Sequence, residues 1–97
     1  MSDPALWVLR GFDMHLDLWI ATFKPDQDLI NLVTAWVLSR FEDPFQGVRR
    51  EDGFDNLWWG HVPLSLRDGT MVVCSYFVHE RDRVVACNSI VPLSLPT

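Results

Sequence analysis

LWWGHVPLSLRDGTMVVCSYFVHERDRVVACNSIVPL, residues Leu57 to Leu93, is the stretch whose reading decides the fold. Its apolar runs are separated by Arg67-Asp68-Gly69-Thr70 and by His79-Glu80-Arg81-Asp82, so it predicts three consecutive strands joined by short turns. Asp-Gly is a strong two-residue hairpin signal, because a type I′ turn needs positive φ at both central positions. Setting Arg67 opposite Thr70 then places Leu66 against Met71, Leu64 against Val73, Val62 against Ser75 and His61 against Tyr76. The second turn places Val78 against Arg83, Tyr76 against Val85 and Cys74 against Cys87.

Side chains alternate across a sheet, so this register sorts the block into two faces. Trp58, Val62, Leu64, Leu66, Met71, Val73, Phe77, Val84, Ala86 and Ile90 fall on one, which is expected to pack against the rest of the chain. Trp59, His61, Pro63, Ser65, Arg67, Cys74, Tyr76, Arg83, Val85, Cys87 and Ser89 fall on the other, which is expected to face outward and gather the polar and reactive groups. Pro63 cannot donate to a ladder, which predicts an edge position for the first strand of the block. The amino-terminal apolar run Ala5 to Arg10, stopped by Gly11, is then expected to join the other edge, beside Val84 to Val91.

The upstream segments supply the cover. Phe12 to Phe23 fits two periods: Phe12, Leu16, Trp19, Ile20 and Phe23 at helical spacing, and Phe12, Met14, Leu16, Leu18 and Ile20 in alternation. A helix is favoured, since Trp19, Ile20 and Phe23 share its apolar face. Lys24-Pro25-Asp26 opens a second helix, with Asp26 and Asp28 complementing the positive end of its dipole. Its stripe is Leu29, Ile30, Val33, Trp36, Val37 and Phe41, Arg40 lies in its last turn, and Asp43-Pro44 ends it. Phe45 to Asn56, rich in Gly, Asp, Glu and Arg, predicts a surface loop in which Glu51-Asp52 answers Arg49-Arg50. The expected architecture is one α+β domain over residues 1–97: a two-layer β-α-α-β-β-β arrangement, with a helical hairpin on one face of a four-stranded, mostly antiparallel sheet.

A chain of 97 residues is near the size at which one core must be dense in large side chains, and five Trp with six Phe supply that density. No apolar run approaches the ~20 residues that span a bilayer, and Met-Ser-Asp-Pro lacks the character of a signal peptide, so a soluble cytoplasmic protein is expected. The formal net charge of -5 opposes the phosphate neutralisation on which nucleic-acid affinity rests, which disfavours RNA or a ribosome as partner. Six of the eight cations lie from Arg40 onward, but eight acids accompany them there, so that part of the chain is also negative.

Neither Gly-rich phosphate loop nor nucleophile elbow is present, and no cofactor is implied. Cys74 and Cys87 show no paired-ligand spacing, so no metal site is expected. Opposed on neighbouring strands they would lie within disulfide reach, as a redox pair or as two small half-buried thiols. On the expected outer face His61 sits beside Tyr76, with Arg83 and Arg67 on the same surface, a set in which imidazole exchanges protons and arginine holds an anion.

The helical end Leu-Ser-Arg-Phe-Glu-Asp-Pro-Phe (Leu38 to Phe45), the strand Val-Val-Cys-Ser-Tyr-Phe-Val (Val72 to Val78) and Arg-Val-Val-Ala-Cys-Asn-Ser-Ile (Arg83 to Ile90), in this order, resemble the RelE/ParE-type toxin fold. The resemblance implies a small toxin that cleaves mRNA at the ribosome or poisons DNA gyrase, held inactive by an antitoxin segment. Under it the catalytic set would be His61 as acid or base, Arg67 and Arg83 on phosphate, and Tyr76 stacking or orienting. The alternative is a non-catalytic interaction module on the same scaffold, binding a partner peptide or a second copy through Trp59, Pro63 and Tyr76.

Overall fold

The computed structural model describes residues 6–94, with elements β1 (Val8–Arg10), α1 (Phe12–Phe23), α2 (Gln27–Ser39), β2 (Arg49–Arg50), β3 (Leu57–His61), β4 (Thr70–His79) and β5 (Val84–Ser94). The sheet order is β1-β5-β4-β3-β2. β1 runs parallel to β5 and every other neighbouring pair is antiparallel. This is the expected α+β arrangement, with β1 on the predicted edge; Ala5, assigned above to that strand, lies outside the described residues.

Helical spacing wins over alternation in α1. Phe12 and Trp19 are buried and Leu16 and Ile20 pack against the core, whereas Met14 and Leu18, required inside by a strand, are exposed. Lys24 ends the helix in the left-handed region, its N–H bonded to the Ile20 carbonyl. Asp26 caps α2 by accepting from the Leu29 N–H at 2.8 Å, and Leu29, Val33 and Val37 turn inward as the stripe predicts. The helix stops at Ser39, one residue before Arg40 and two before Phe41, which is left exposed.

Among the described residues the sheet has five strands rather than four. Arg49–Arg50 pairs with Trp58–Trp59, so the expected surface loop contributes the outermost strand and β3 is not the edge. Gly60 makes room for that approach: a Cβ there would stand 2.8 Å from Val48 Cγ1 and 3.1 Å from the Gly47 carbonyl oxygen.

The turn forms as its dipeptide predicts. Asp68 and Gly69 have φ of 51° and 80°, and Arg67 and Thr70 exchange N–H···O bonds of 2.8 and 2.9 Å. The ladder does not continue into β3 in that register. Pro63 has no N–H, Leu64 takes φ 66°, and the chain leaves the sheet between Val62 and Leu66. Five residues on this side oppose two on β4, an excess of three before His61 pairs with Val73. An odd excess turns the strand over. Ser65 closes the gap: its buried hydroxyl donates to the Val62 carbonyl at 2.6 Å and accepts from the Val72 N–H at 3.0 Å.

The face assignment is therefore corrected. With Leu64 and Leu66 out of the ladder and exposed, the inward side of β4 is Val72, Cys74, Tyr76 and Val78, which meet α1 and α2 in one core with Val85 and Ile90 of β5. Met71, Val73 and Phe77, expected inside, are on the other face. The β4–β5 connection also differs: four residues, Glu80 to Arg83, lie between the paired His79 and Val84, so Tyr76 faces Cys87 rather than Val85. A bulge at Asn88 then sets Cys74 against Ile90, not Cys87.

Candidate functional site

Two surfaces compete for the role of functional site, the outer face of the sheet and a cleft at the carboxyl end of α2. Both helices pack on one side of the sheet among the described residues. The other side presents Leu57, Trp59 and His61 from β3, Met71, Val73, Ser75, Phe77 and His79 from β4, and Ala86, Ser89, Val91 and Leu93 from β5. Most of these side chains are half-buried, and Val91 and Leu93 are exposed. A small polar knot marks its centre, where the Ser75 and Ser89 hydroxyls meet at 2.7 Å and Asn88 Nδ2 donates to Ser75 Oγ at 2.9 Å. At its β2 border the Arg49 guanidinium lies 5.4 Å over the Trp59 ring.

The residues singled out as catalytic are dispersed. Tyr76 is fully buried on the helix side, against the expectation of an exposed position. Its hydroxyl donates to the Pro44 carbonyl and accepts from Arg40 Nη1 at 3.3 Å. Burial pushes the phenol up to about 12 from an ordinary 10.0, with the Arg40 hydrogen bond and charge opposing it. His61 remains outward and exposed, so the imidazole and the phenol lie on opposite faces.

Arg67 and Arg83 sit beyond opposite ends of β4. Nine residue steps from Thr70 to His79, at ~3.3 Å each, separate those ends by roughly 30 Å. Arg67 Nη1 donates to the Leu64 and Leu66 carbonyls at 3.0 and 2.9 Å, holding the irregular segment, while the Arg83 guanidinium lies 4.4 Å over the Trp7 ring. Of the residues assigned to partner binding, Trp59 lies on the outer face and Pro63 is exposed where the chain leaves the sheet. The geometry gathers no two of His61, Tyr76, Arg67 and Arg83 around one point.

Cys74 and Cys87 are both free thiols on the helix side. A hydrogen bond with Cys87, then burial, raises the Cys74 thiol well above its usual range. Such a thiol stays protonated and is a poor nucleophile or metal ligand. Among the described residues no three His, Cys, Asp or Glu side chains converge.

Sequence reasoning missed Arg40, which it placed only in the last turn of the second helix. The side chain folds inward, 2% exposed, with Trp36 against its plane at 4.1 Å. It joins Ser39, Gln46, His61 and Pro63 in lining a cleft of about 480 Å³. The available signal was its place between Val37 and Phe41 of the apolar stripe and just before Asp43-Pro44, where the chain must turn back over the helix end. No helix among the described residues is long and apolar enough to cross a membrane. No protein-family model, curated protein or solved structure matches the chain.

Proposed function

We propose that this chain is a non-catalytic interaction module whose partner is a second copy of itself, docked through the uncovered face of the sheet. The single observation that carries this reading is the apolar surface formed by Leu57, Trp59, Met71, Val73, Phe77, Val91 and Leu93, over which no described element packs.

Area and charge support a self-associating occupant. The strands hold 31 residues, which at ~3.3 Å rise and ~4.8 Å spacing make roughly 500 Å² of sheet plane. Two such faces offer about 1,000 Å² before side-chain relief is counted, close to the ~1,200–2,000 Å² of stable interfaces. Although the chain is acidic, no Asp or Glu occupies the outward positions of β3, β4 or β5. Two copies therefore meet without opposing their negative charges. A twofold axis would set the two sheets about 10 Å apart as a sandwich, with Trp59 as an aromatic anchor.

The toxin reading draws less support from the geometry. It needs His61, Tyr76, Arg67 and Arg83 on one substrate, and they lie on two faces and at two ends of β4. Growth arrest on induced expression, relieved by a co-expressed antitoxin-like segment, would reinstate it.

Sedimentation over a range of concentrations tests self-association. The expected mass is twice 11.2 kDa, and Val73→Lys or Phe77→Lys, each placing a charge on the outer face, should return it to the monomer with circular dichroism unchanged. A wild-type monomer up to about 100 µM, at which weak transient contacts already register, would refute the proposal, and retention of a different protein would assign the face to another partner.

A further inference from the structure

Arginine carries five N–H donors in a planar fork and no acceptor. In Arg40, Nη1 donates to the Gln46 carbonyl at 2.7 Å and to Tyr76 Oη at 3.3 Å, and Nη2 donates to Ser39 Oγ at 3.0 Å. Nε has no partner. Three of the five donors are satisfied, then, and two remain, one on Nε and one on Nη2. Every hydrogen-bond acceptor is a neutral oxygen, and the Trp36 ring lies against the guanidinium, so among the described residues no carboxylate sits directly on this buried cation. Buried charges ordinarily carry an opposite charge beside them, because leaving water is otherwise strongly unfavourable.

The cleft beside it is built for such a charge. Among the described residues no carboxylate lines its about 480 Å³, a volume within the usual range of small-molecule sites. Ser39 donates to the Trp36 carbonyl at 2.5 Å while accepting from Nη2, which fixes the guanidinium against the Trp36 ring. Nε is closed to water, and Gln46, His61 and Pro63, which line the cleft, are exposed.

We propose that this cleft binds a small organic oxyanion, a carboxylate or a phosphate monoester, whose oxygens accept from the open N–H groups of Arg40 while its apolar part lies against Trp36 and Pro63. The planar fork suits two oxygens of one anion, which an ammonium group does not. His61, at the rim, adds a donor to the outer side of the ligand. Ser39 is a positioning residue that acts through the guanidinium. The proposal shares only His61 with self-association through the sheet, since Arg40 and Trp36 belong to the helix layer.

The full-length chain can be titrated at fixed ionic strength with benzoate, with phenyl phosphate and with uncharged benzyl alcohol, following the Arg40 Nε–H and Trp36 indole N–H resonances. Saturable shifts of both signals are expected for at least one oxyanion at about millimolar concentration or below, with none for benzyl alcohol. Saturation by only one oxyanion would identify which headgroup the site takes. His61→Ala, at the exposed rim, should weaken binding several-fold with the melting temperature unchanged. Arg40→Lys should weaken it at least tenfold; if that chain does not fold, Ser39→Ala serves in its place and should weaken binding and broaden the Nε–H signal. Shifts that rise linearly without saturation, equal shifts with benzyl alcohol, or full affinity in a folded Arg40→Lys chain would overturn the assignment.

Discussion

Tyr76 is the only tyrosine in the chain, so its ionisation can be followed spectroscopically without interference. Its phenol lies in the core and is pushed up to about 12, first by burial, against an unfolded value of 10.0. The native state therefore keeps the proton more tightly than the unfolded chain. Stability from this group is complete below pH 10 and falls as pH rises from 10 toward 12, where unfolding releases the proton. Two powers of ten in proton affinity correspond to about 2.7 kcal/mol, a large share of the roughly 5–15 kcal/mol expected for a domain of this kind. The assay is a pH series of urea unfolding curves, run beside the tyrosinate absorbance of the native protein. Tyr76→Phe should remove this group's share of the decline above pH 10, leaving that of the buried Cys74 thiol, which is also raised. It should also cost about 2–4 kcal/mol at neutral pH, because the Pro44 carbonyl loses its donor and the buried Arg40 loses an acceptor. Tyrosinate appearing near pH 10 with the far-ultraviolet circular dichroism intact would refute the reasoning, since it would put the phenol in water, where the register extrapolated from the Asp68-Gly69 turn had placed it.

Three further predictions concern single contacts. Gly60→Ala should destabilise by about 1–3 kcal/mol, since the new methyl meets Val48 and the Gly47 carbonyl, and a chemical-denaturation midpoint that does not move would contradict the close approach of β2. Leu64, 81% exposed at φ 66°, gains nothing from its side chain and pays for its backbone, so Leu64→Gly should be neutral or stabilising by up to about 1 kcal/mol in thermal melts. At neutral pH Cys74 should resist iodoacetamide in the native protein and react fully after denaturation, as read by mass spectrometry; rapid native labelling at Cys74 would contradict its burial and raised thiol.

The layer arrangement was legible because it depends on long patterns. The stripe from Leu29 to Val37, the Asp26 cap and the Asp-Gly turn each act locally, and each appears as its residues predict. The faces were not legible, because both sides of β4 are apolar: Met71, Val73 and Phe77 differ little in hydropathy from Val72, Cys74 and Val78. The decision fell to Val62, Leu64 and Leu66, which favour the wrong face only if the strand is unbroken. Pro63 on its own predicts an edge, whereas its missing N–H marks the point at which the chain leaves the ladder. Tyr76 was hidden for a related reason. A phenol can be buried when its hydroxyl finds partners, and those partners, Pro44 and Arg40, are more than thirty residues away in sequence. Arg49–Arg50 was not legible as a strand because two residues carry no periodicity.

The segment held by Ser65 also bears on the order in which the sheet is assembled. From the Asp68-Gly69 turn, zipping can advance only through Arg67 and Thr70 before it stalls. β3 must then find β4 by closing a loop of eleven residues, 62 to 72, between His61 and Val73. By the logarithmic dependence of closure entropy on length, this costs about 1.5 kcal/mol more than closing a two-residue turn. The β4–β5 hairpin carries no such interruption near its four-residue loop and pairs over most of its length. Nucleation accordingly belongs to the carboxyl-terminal hairpin, with β3 and the two-residue β2 recruited later, so substitutions in β3 should accelerate unfolding while leaving the refolding rate nearly untouched.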